Sequence, residues 1–265
     1  SSIFNQPAYI KWNSFQQSDD SRYVGLTLPS FLLRESYQIE IGSLLYNEKI
    51  RDKETELVWG NSSFAFATRL LDSFAQYRWC LNCTGQSAGQ VQGLNMKEGR
   101  ISTQFILTDR RESEVVKQGF IPLSVHKGED TAAFYSAYST HRVNTNDEQD
   151  AEDLSSRLSA QLPYLMIISR ISQYLKVMQR ENLGSWRNRR DLDQQLNKWL
   201  LKYVSDMDNP AAGVRARRPL RRAEIKVREV EGKPDWFVTQ IQITPHLKFM
   251  GSSFVLSENS KMEKN

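Results

Sequence analysis

The sequence contains few cysteines and lacks long apolar runs. Only two cysteines occur among 265 residues, which excludes a disulfide-rich scaffold and favours a reducing compartment such as the cytoplasm. No uninterrupted apolar run approaches the roughly 18–20 residues that a membrane-spanning helix requires, so we expect no direct membrane insertion. The chain starts at Ser1 rather than at a methionine, and we therefore expect that an upstream part is missing.

No strong excess of either charge is present. The chain has 35 basic and 31 acidic side chains, a formal net charge of +4, with 39% hydrophobic and 25% charged residues. This composition is typical of a folded protein rather than a disordered one. The sequence pI near 9.0 therefore reflects a local imbalance, and by itself it does not imply a nucleic-acid partner.

The motifs of catalysis are also missing. Cys80 and Cys83 form a C-x-x-C pair, but a zinc or redox site needs a second ligand pair or a strand-to-helix context. We interpret both as structural thiols, with a cysteine nucleophile as a distant alternative. The glycine-rich loop 85–93 lacks the Lys-Ser/Thr of a phosphate-binding loop. We expect no enzyme activity, no cofactor and no metal.

The first half of the chain alternates apolar runs with turns. A helix is predicted within 57–79, because Phe64, Ala67, Leu70, Leu71 and Phe74 recur on one face. The loop 85–93 is predicted to be irregular. Further predictions are a strand over 23–28, a strand over 101–108, a helix from Asp109, and strands over 120–125 and 131–139.

An acidic segment divides the chain. Residues 143–153 contain five acids and no base, so we predict a solvated linker and domains of 1–150 and 151–265. A long helix is predicted over 152–182, bent at Pro163 because proline lacks the amide, and ended by Gly184. A second helix is predicted over 188–204, with Leu192, Leu196, Trp199, Leu200 and Tyr203 on one face.

The C-terminal part is predicted to be a β-hairpin followed by a last strand. Ala223, Ile225 and Val227 alternate with charged residues, which indicates a half-buried strand. A turn is predicted over 231–235, and the return strand then places Phe237, Thr239, Ile241 and Ile243 on one face. The segment 252–258 supplies the last strand.

The densest charge lies between Arg215 and Arg228. Seven cationic side chains occur there against one acid, Glu224, and no aromatic residue is present. Nucleic-acid sites usually interleave exposed aromatic side chains for stacking. A solvated face, the rim of a protein-docking surface and a polyanion site remain three open interpretations.

Several segments taken together resemble one family, the large sheath subunit of bacterial type VI secretion systems (TssC, VipB or EvpB), and the IglB variant in particular. The resemblance covers nearly the whole chain in order, as the C-terminal half of a longer protein. Pro163 departs from the helix former expected in the family. The segments are SDDSRYVGLTLP (18–29), LVWGNSSFAFATRLLDSFAQYRW (57–79), ILTDRRESEVVKQGFIPL (106–123), LSSRLSAQLPYLMIISRISQYLKVMQRENLGSW (154–186), LNKWLLKYV (196–204) and ARRPLRRAEIKVREVEGKPDWFVTQIQITPHLKF (216–249).

The resemblance implies a structural protein of the bacterial cytoplasm. Such a subunit pairs with a small sheath subunit (TssB, VipA or IglA), assembles helically with copies of itself around a tube of Hcp rings, and drives the tube outward by contraction. A baseplate and an AAA+ disassembly ATPase are further implied partners, while no cofactor or nucleic acid is implied. The implied fold is α/β (α+β): a phage-tail-sheath-like domain with long helices and a C-terminal β-hairpin or arm.

Three groups of residues are then expected to contact neighbouring subunits. The alternative from another class is a nucleic-acid-binding protein that uses 213–228 and the basic face of 188–204. The groups are an inter-subunit arm of Phe237, Thr239, Ile241, Ile243, Phe254 and Leu256; tube-facing cations Arg189, Arg190, Lys198 and Lys202; and a basic docking rim of Arg215, Arg217, Arg218, Arg221 and Arg222.

Overall fold

The computed structural model forms two compact units. The first unit consists of Ser1–Asp72 and Asn82–Arg142, and the second of Ser73–Leu81 and Val143–Asn265. The structure describes residues 4, 6–34, 36–37, 46–52, 56–95, 103–125, 131–142, 159–181, 189–207, 210–230, 233–246 and 256–261.

The first unit combines helices with a four-stranded sheet. Strand β1 runs parallel to β5, β5 and β4 each pair antiparallel with β6, and the order is β1-β5-β6-β4. Strands β2 and β3 form a separate antiparallel pair. The elements are 3₁₀ turns Pro7–Tyr9 and Asp19–Tyr23, helices α1 (Ile10–Gln17), α2 (Ser62–Tyr77, which continues past Asp72 into the second unit) and α3 (Asp109–Lys117), and strands β1 (Leu26–Leu28), β2 (Phe31–Leu32), β3 (Trp59–Gly60), β4 (Gln90–Asn95), β5 (Phe120–Ser124) and β6 (Thr131–Phe134).

The core of the first unit lies around β5 and β6. Ile121, Leu123 and Phe134 are almost completely buried, and the ring of Phe66 on α2 meets that of Phe134 edge-on at 5.1 Å between centroids. Gly89 passes close to this core, where a Cβ atom would lie 2.1 Å from the carbonyl oxygen of Phe134. Only glycine fits that approach.

Sequence periodicity selects the wrong face of α2. The predicted apolar face lies largely in solvent, with Phe64 72% and Leu71 66% exposed. The helix buries Ala65 and Phe66 instead, because the ring of Phe66 packs against β6. The segment 57–79 thus carries two apolar faces, and pattern alone cannot rank them.

Other predictions for the first unit meet mixed outcomes. Helix α3 and strands β5 and β6 confirm the elements predicted from 109 onward, although β6 ends at Phe134. The predicted strand over 101–108 is wrong in its described part, where Thr103 makes only an isolated bridge to Phe31. The loop prediction for 85–93 is wrong from Gln90, where β4 begins. The strand predicted over 23–28 is shorter and begins at Leu26.

The second unit packs helices on one antiparallel sheet of order β7-β8-β9. Strand β8 pairs with β7 from Leu220↔Pro245 to Val230↔Lys233, so the hairpin turn is tighter than the predicted one over 231–235. The elements are helices α4 (Leu162–Glu181), α5 (Arg189–Leu200) and α6 (Ala212–Arg217), a 3₁₀ turn Leu201–Tyr203, and strands β7 (Leu220–Val230), β8 (Lys233–Pro245) and β9 (Leu256–Lys261).

The predicted apolar stripes of this unit form its core. The core side chains come mainly from α4, α5 and the hairpin strands β7 and β8. Each fully buried aliphatic side chain stabilises the fold by about 1.5–3 kcal/mol relative to an exposed one. The core residues are Trp79, Leu81, Ile167, Ile171, Leu175, Leu192, Leu196, Leu200, Leu220, Ile225, Val227, Ile241 and Ile243.

One polar contact lies inside this apolar interface. Gln179 on α4 is 2% exposed, and its Nε2 donates to Oγ1 of Thr239 on β8 at 2.6 Å. A buried amide without a partner would cost about 1–3 kcal/mol. The pair therefore ties α4 to one residue of β8.

The predicted helix over 152–182 is interrupted just before Pro163. Ser159 is helical, residues 160–161 are not, and α4 begins at Leu162. Pro163 therefore lies in the first turn of α4, where the amide that proline lacks would have no intrahelical acceptor. The parts of the prediction over 152–158 and at Gly184, and the acidic linker 143–153, lie outside the described residues.

A cationic side chain fastens Ser73–Leu81 to α4. The guanidinium of Arg170 lies 4.7 Å from the ring centroid of Trp79, 5.2 Å from Phe74 and 5.6 Å from Tyr174. It also donates a hydrogen bond to the carbonyl oxygen of Arg78. Arg78 has a φ of 66°, a backbone angle that residues other than glycine rarely adopt. Arg170 thus stabilises an unfavourable turn.

We expect Arg170→Gln to lower the free energy of unfolding by about 1–3 kcal/mol, because cation–π contacts and a charge-assisted hydrogen bond are lost together. Urea unfolding followed by tryptophan fluorescence measures the change. Arg180→Gln removes an exposed cation from the last turn of the same helix, and should stay within about 0.5 kcal/mol. Equal effects of the two substitutions would contradict the role of Arg170.

Candidate functional site

Side chains of α5 close the outer edge of β7. Asn197 Nδ2 donates to the carbonyl oxygen of Ile225 at 2.8 Å, and the Ile225 amide donates to Asn197 Oδ1 at 2.9 Å. Asp193 Oδ1 accepts from the Val227 amide at 3.1 Å. An amide side chain that both donates and accepts imitates a neighbouring strand, so these groups are not left as an exposed edge.

This contact also fixes the hydrogen-bond pattern across the sheet. The amide and carbonyl of Ile225 point to α5 and therefore away from β8. Its cross-strand partner Ile241 must then direct its own amide and carbonyl toward β9. Hydrogen-bonded and non-hydrogen-bonded pairs alternate in antiparallel sheets. Ile241 pairs with Glu258, so Glu258 bonds β8 while the amides of Ser257 and Asn259 point outward. In the described part of the chain, no strand pairs with that outer edge of β9.

The residues predicted to form an arm lie in two different places. Thr239, Ile241 and Ile243 are at most 3% exposed and face the core of the unit. Strand β8 is the central strand of the sheet, contrary to the expectation that it leaves its own domain. Leu256 begins β9, the edge strand. Phe237 lies in β8 with its side chain outside the described part, and Phe254 is outside the described residues.

The predicted tube-facing cations lie on α5 and just beyond it. Arg190, Lys198 and Lys202 are exposed; for Arg189 the structure describes the backbone only. The polar side chains between them are not all solvated, as Asp193 and Asn197 bond β7. Sequence reasoning missed the role of Asp193 and Asn197. The sequence feature that could have indicated it is an Asp and an Asn four residues apart, on one face of a helix that packs beside a hairpin.

The basic stretch lies on α6 and the start of β7. Arg215, Arg217, Arg218 and Arg222 are exposed, while Arg221 is half-buried. His246, 8% exposed, follows β8. Burial lowers the pKa of His246 from its ordinary 6.5, and nearby Arg215 and Arg221 lower it further, against hydrogen bonds with the Ser205 and Leu220 backbone.

The structure describes Cys80 as half-buried and Cys83 as buried. Burial raises the pKa of the Cys80 thiol above its ordinary 9.0, and the positive charge of Arg170 offsets part of this rise. Among the described residues no group of three or more His, Cys, Asp and Glu side chains could hold a metal ion. Within the same residues, every helix is too short or too polar to cross a bilayer.

The described residues thus form an α+β fold in which side chains of α5 close one edge of the second sheet, no described strand pairs with the other edge, and basic faces are exposed. Two family models match the chain: "EvpB/VC_A0108, tail sheath N-terminal domain" over residues 1–141, and "EvpB/VC_A0108, tail sheath gpW/gp25-like domain" over residues 151–262. The chain belongs to this VipB/EvpB family of type VI secretion tail sheath proteins.

A curated relative agrees with the family. The type VI secretion system sheath protein TssC1 of Pseudomonas aeruginosa is 34% identical over 275 residues, which cover 98% of this chain and 55% of the relative. The chain thus spans about half the length of that relative. A solved sheath tail protein from Desulfitobacterium hafniense aligns with 60% of this chain and 34% of its own, at 10% identity and a TM-score of 0.39. The nucleic-acid-binding alternative receives no support from these matches.

Asn197→Ala should lower the free energy of unfolding by about 1–3 kcal/mol, because it leaves an amide and a carbonyl of β7 without their partner. Hydrogen exchange of the Ile225 amide should accelerate in step. Gln194→Ala, an exposed neighbour on the same helix, serves as the control and should change neither quantity. An unchanged Ile225 exchange rate in Asn197→Ala would show that the edge is closed by something else.

Acidification should destabilise the second unit through His246. The unfolded imidazole titrates near pH 6.5, and the folded one at lower pH. The unfolded state therefore binds the proton first, and stability present above pH 6.5 declines as the pH falls, by at most about 1.4 kcal/mol per pH unit. His246→Gln should flatten the decline measured by urea unfolding between pH 7 and 5. His141, whose pKa is also lowered, contributes to the decline that remains; an unchanged slope would contradict the assignment.

Proposed function

We propose that the chain is a structural subunit of the type VI secretion contractile sheath. It pairs with the small sheath subunit, assembles helically with further copies of itself around the Hcp tube in the bacterial cytoplasm, and contraction drives the tube outward. Family membership supports the sheath role. The single structural observation that carries the assembly role is the outer edge of β9, with which no described strand pairs.

Strand β9 is the inter-subunit joint in this proposal. The amides of Ser257 and Asn259 point away from β8, so a strand from the small subunit or from a neighbouring copy can extend the sheet there. Main-chain hydrogen bonds then supply register and affinity. Each contributes only about 0.5–1.5 kcal/mol net, but a helical lattice repeats the joint many times. The proposal narrows the predicted arm to β9 and its flanks, because Thr239, Ile241 and Ile243 are occupied in the core.

The basic faces have separate roles. Of the predicted tube-facing cations, the exposed Lys198 and Lys202 face acidic patches of the Hcp rings. Arg190 lines the groove between α5 and β7 instead, and Arg189 stays a prediction, since only its backbone is described. The docking rim of Arg215, Arg217, Arg218, Arg221 and Arg222 lies beside the joint and sets register and partner choice, because exposed charges determine specificity and association rate more than affinity. The baseplate and a disassembly ATPase are further partners in the proposal, without assigned residues.

Co-expression with the small subunit and negative-stain microscopy test the proposal. We expect tubules from the unmodified chain, and loss of long tubules in Asn259→Pro, because proline removes an outward amide with which no described strand pairs. Asn259→Val keeps that amide and should assemble normally. Urea unfolding checks that Asn259→Pro remains folded.

Two outcomes would count against different parts of the proposal. Absence of tubules from the unmodified pair would contradict the sheath role. Normal tubules from Asn259→Pro would instead remove β9 as the joint while leaving the sheath role intact. Glu258→Pro serves as a positive control, since its amide bonds β8 and its loss should destabilise the sheet of the chain itself.

A further inference from the structure

An open groove lies between α5 and β7, next to the closed strand edge. Its volume is about 320 Å³, and its lining consists of Arg190, Asp193 and Gln194 from α5 and Lys226, Val227 and Arg228 from β7. Three of the six lining residues are cations, and Val227 is the one apolar residue among them.

The acids near the groove are already engaged. Asp193 Oδ1 accepts from the Val227 amide at 3.1 Å, and Asn197 Nδ2 lies 3.4 Å from Asp193 Oδ2. Glu224 pairs with Lys226 at 3.2 Å. No carboxylate of the described residues forms an ion pair with Arg190 or Arg228, and both side chains are exposed. Two guanidinium groups therefore remain to bind an anion.

The lining selects among classes of ligand. Pockets for small molecules are mostly apolar, whereas this one is mostly charged. Grooves for single-stranded nucleic acid offer aromatic side chains on which bases stack, and none of the six lining residues is aromatic. Guanidinium groups bind carboxylates with two parallel hydrogen bonds. An extended peptide rich in Asp or Glu fits these properties best.

Helix geometry separates this groove from the other basic residues of α5. Lys198 follows Arg190 by eight residues, or about 80° around the helix axis at about 100° per residue, and Lys202 lies beyond α5 in the 3₁₀ turn Leu201–Tyr203. Arg190 therefore belongs with Lys226 and Arg228, which alternate on the exposed face of β7. The basic surface predicted on one helix is shared between a helix and a strand.

We propose that the groove lined by Arg190, Lys226 and Arg228 is a docking site for an acidic, extended segment of another sheath-associated protein. The proposal rests on the assembly role above and adds the chemistry of a partner segment. The basic stretch 213–228 then has two parts: the docking rim at its start, and this groove at its end.

Binding of a fluorescein-labelled ten-residue glutamate peptide to the chain co-expressed with its small subunit tests the proposal. Fluorescence anisotropy at low salt should detect binding that weakens as salt is added. Arg190→Gln with Arg228→Gln should weaken it at least about fivefold, since two charge-assisted contacts are lost. Lys176→Gln with Arg180→Gln makes the same change of charge at exposed positions on α4, and should have little effect.

Three results would overturn the docking site: no binding of the peptide, equal loss in both double variants, or equally tight, groove-dependent binding of a ten-nucleotide thymidine strand, which would indicate a general polyanion site. Tubule formation by the same preparations is observed separately. Tubules without groove-dependent peptide binding would refute the docking site alone, while a pair that binds the peptide but forms no tubules would refute the sheath role alone.

Discussion

The second unit depends on how the edges of its three-stranded sheet are satisfied. An edge strand exposes a row of amide and carbonyl groups that can pair with any other strand. Helix α5 closes one edge with Asn197 and Asp193 while its adjacent apolar face packs Leu192, Leu196 and Leu200 into the core. Among the described strands, the edge left for a further strand is that of β9. The same arrangement engages Asp193, and no described carboxylate forms an ion pair with Arg190 or Arg228 beside it.

The sequence predicts the second unit well because its apolar stripes are unambiguous. Leu192, Leu196 and Leu200 at helical spacing and Ile225 and Val227 at strand spacing all lie in the core. The first unit is harder, since α2 has apolar residues on two faces and the packing of Phe66 on Phe134 decides between them. Strand β4 begins within a glycine-rich stretch, where a close backbone approach at Gly89, rather than side-chain pattern, allows the strand.

The candidate site could be predicted only in part. Exposed cations on α5 and β7 follow from charge and period, yet the groove between them requires knowledge of which strand edge the helix lies against. In the sequence Asp193 and Asn197 resemble ordinary solvent-facing residues of a helix. The groups they bond are backbone amides and a carbonyl of a strand about thirty positions away, which side-chain pattern does not reveal. Pro163 was predicted to bend one continuous helix, and the structure instead interrupts the helix at residues 160–161, directly before Pro163 in the first turn of α4.

The hydrogen bond between Gln179 and Thr239 has a consequence for strand exchange. A strand that slips by two residues keeps its apolar face toward the helices, so hydrophobic pattern alone does not distinguish the alternatives. Such a slip would place Ile241 or Phe237 opposite Gln179 and leave a buried amide without an acceptor. Any strand that took the place of β8, including one donated by another molecule, would need a side-chain acceptor at this one position. The central position in the sheet is thereby specific to the sequence of β8 itself, a requirement that hydrophobic pattern alone does not impose.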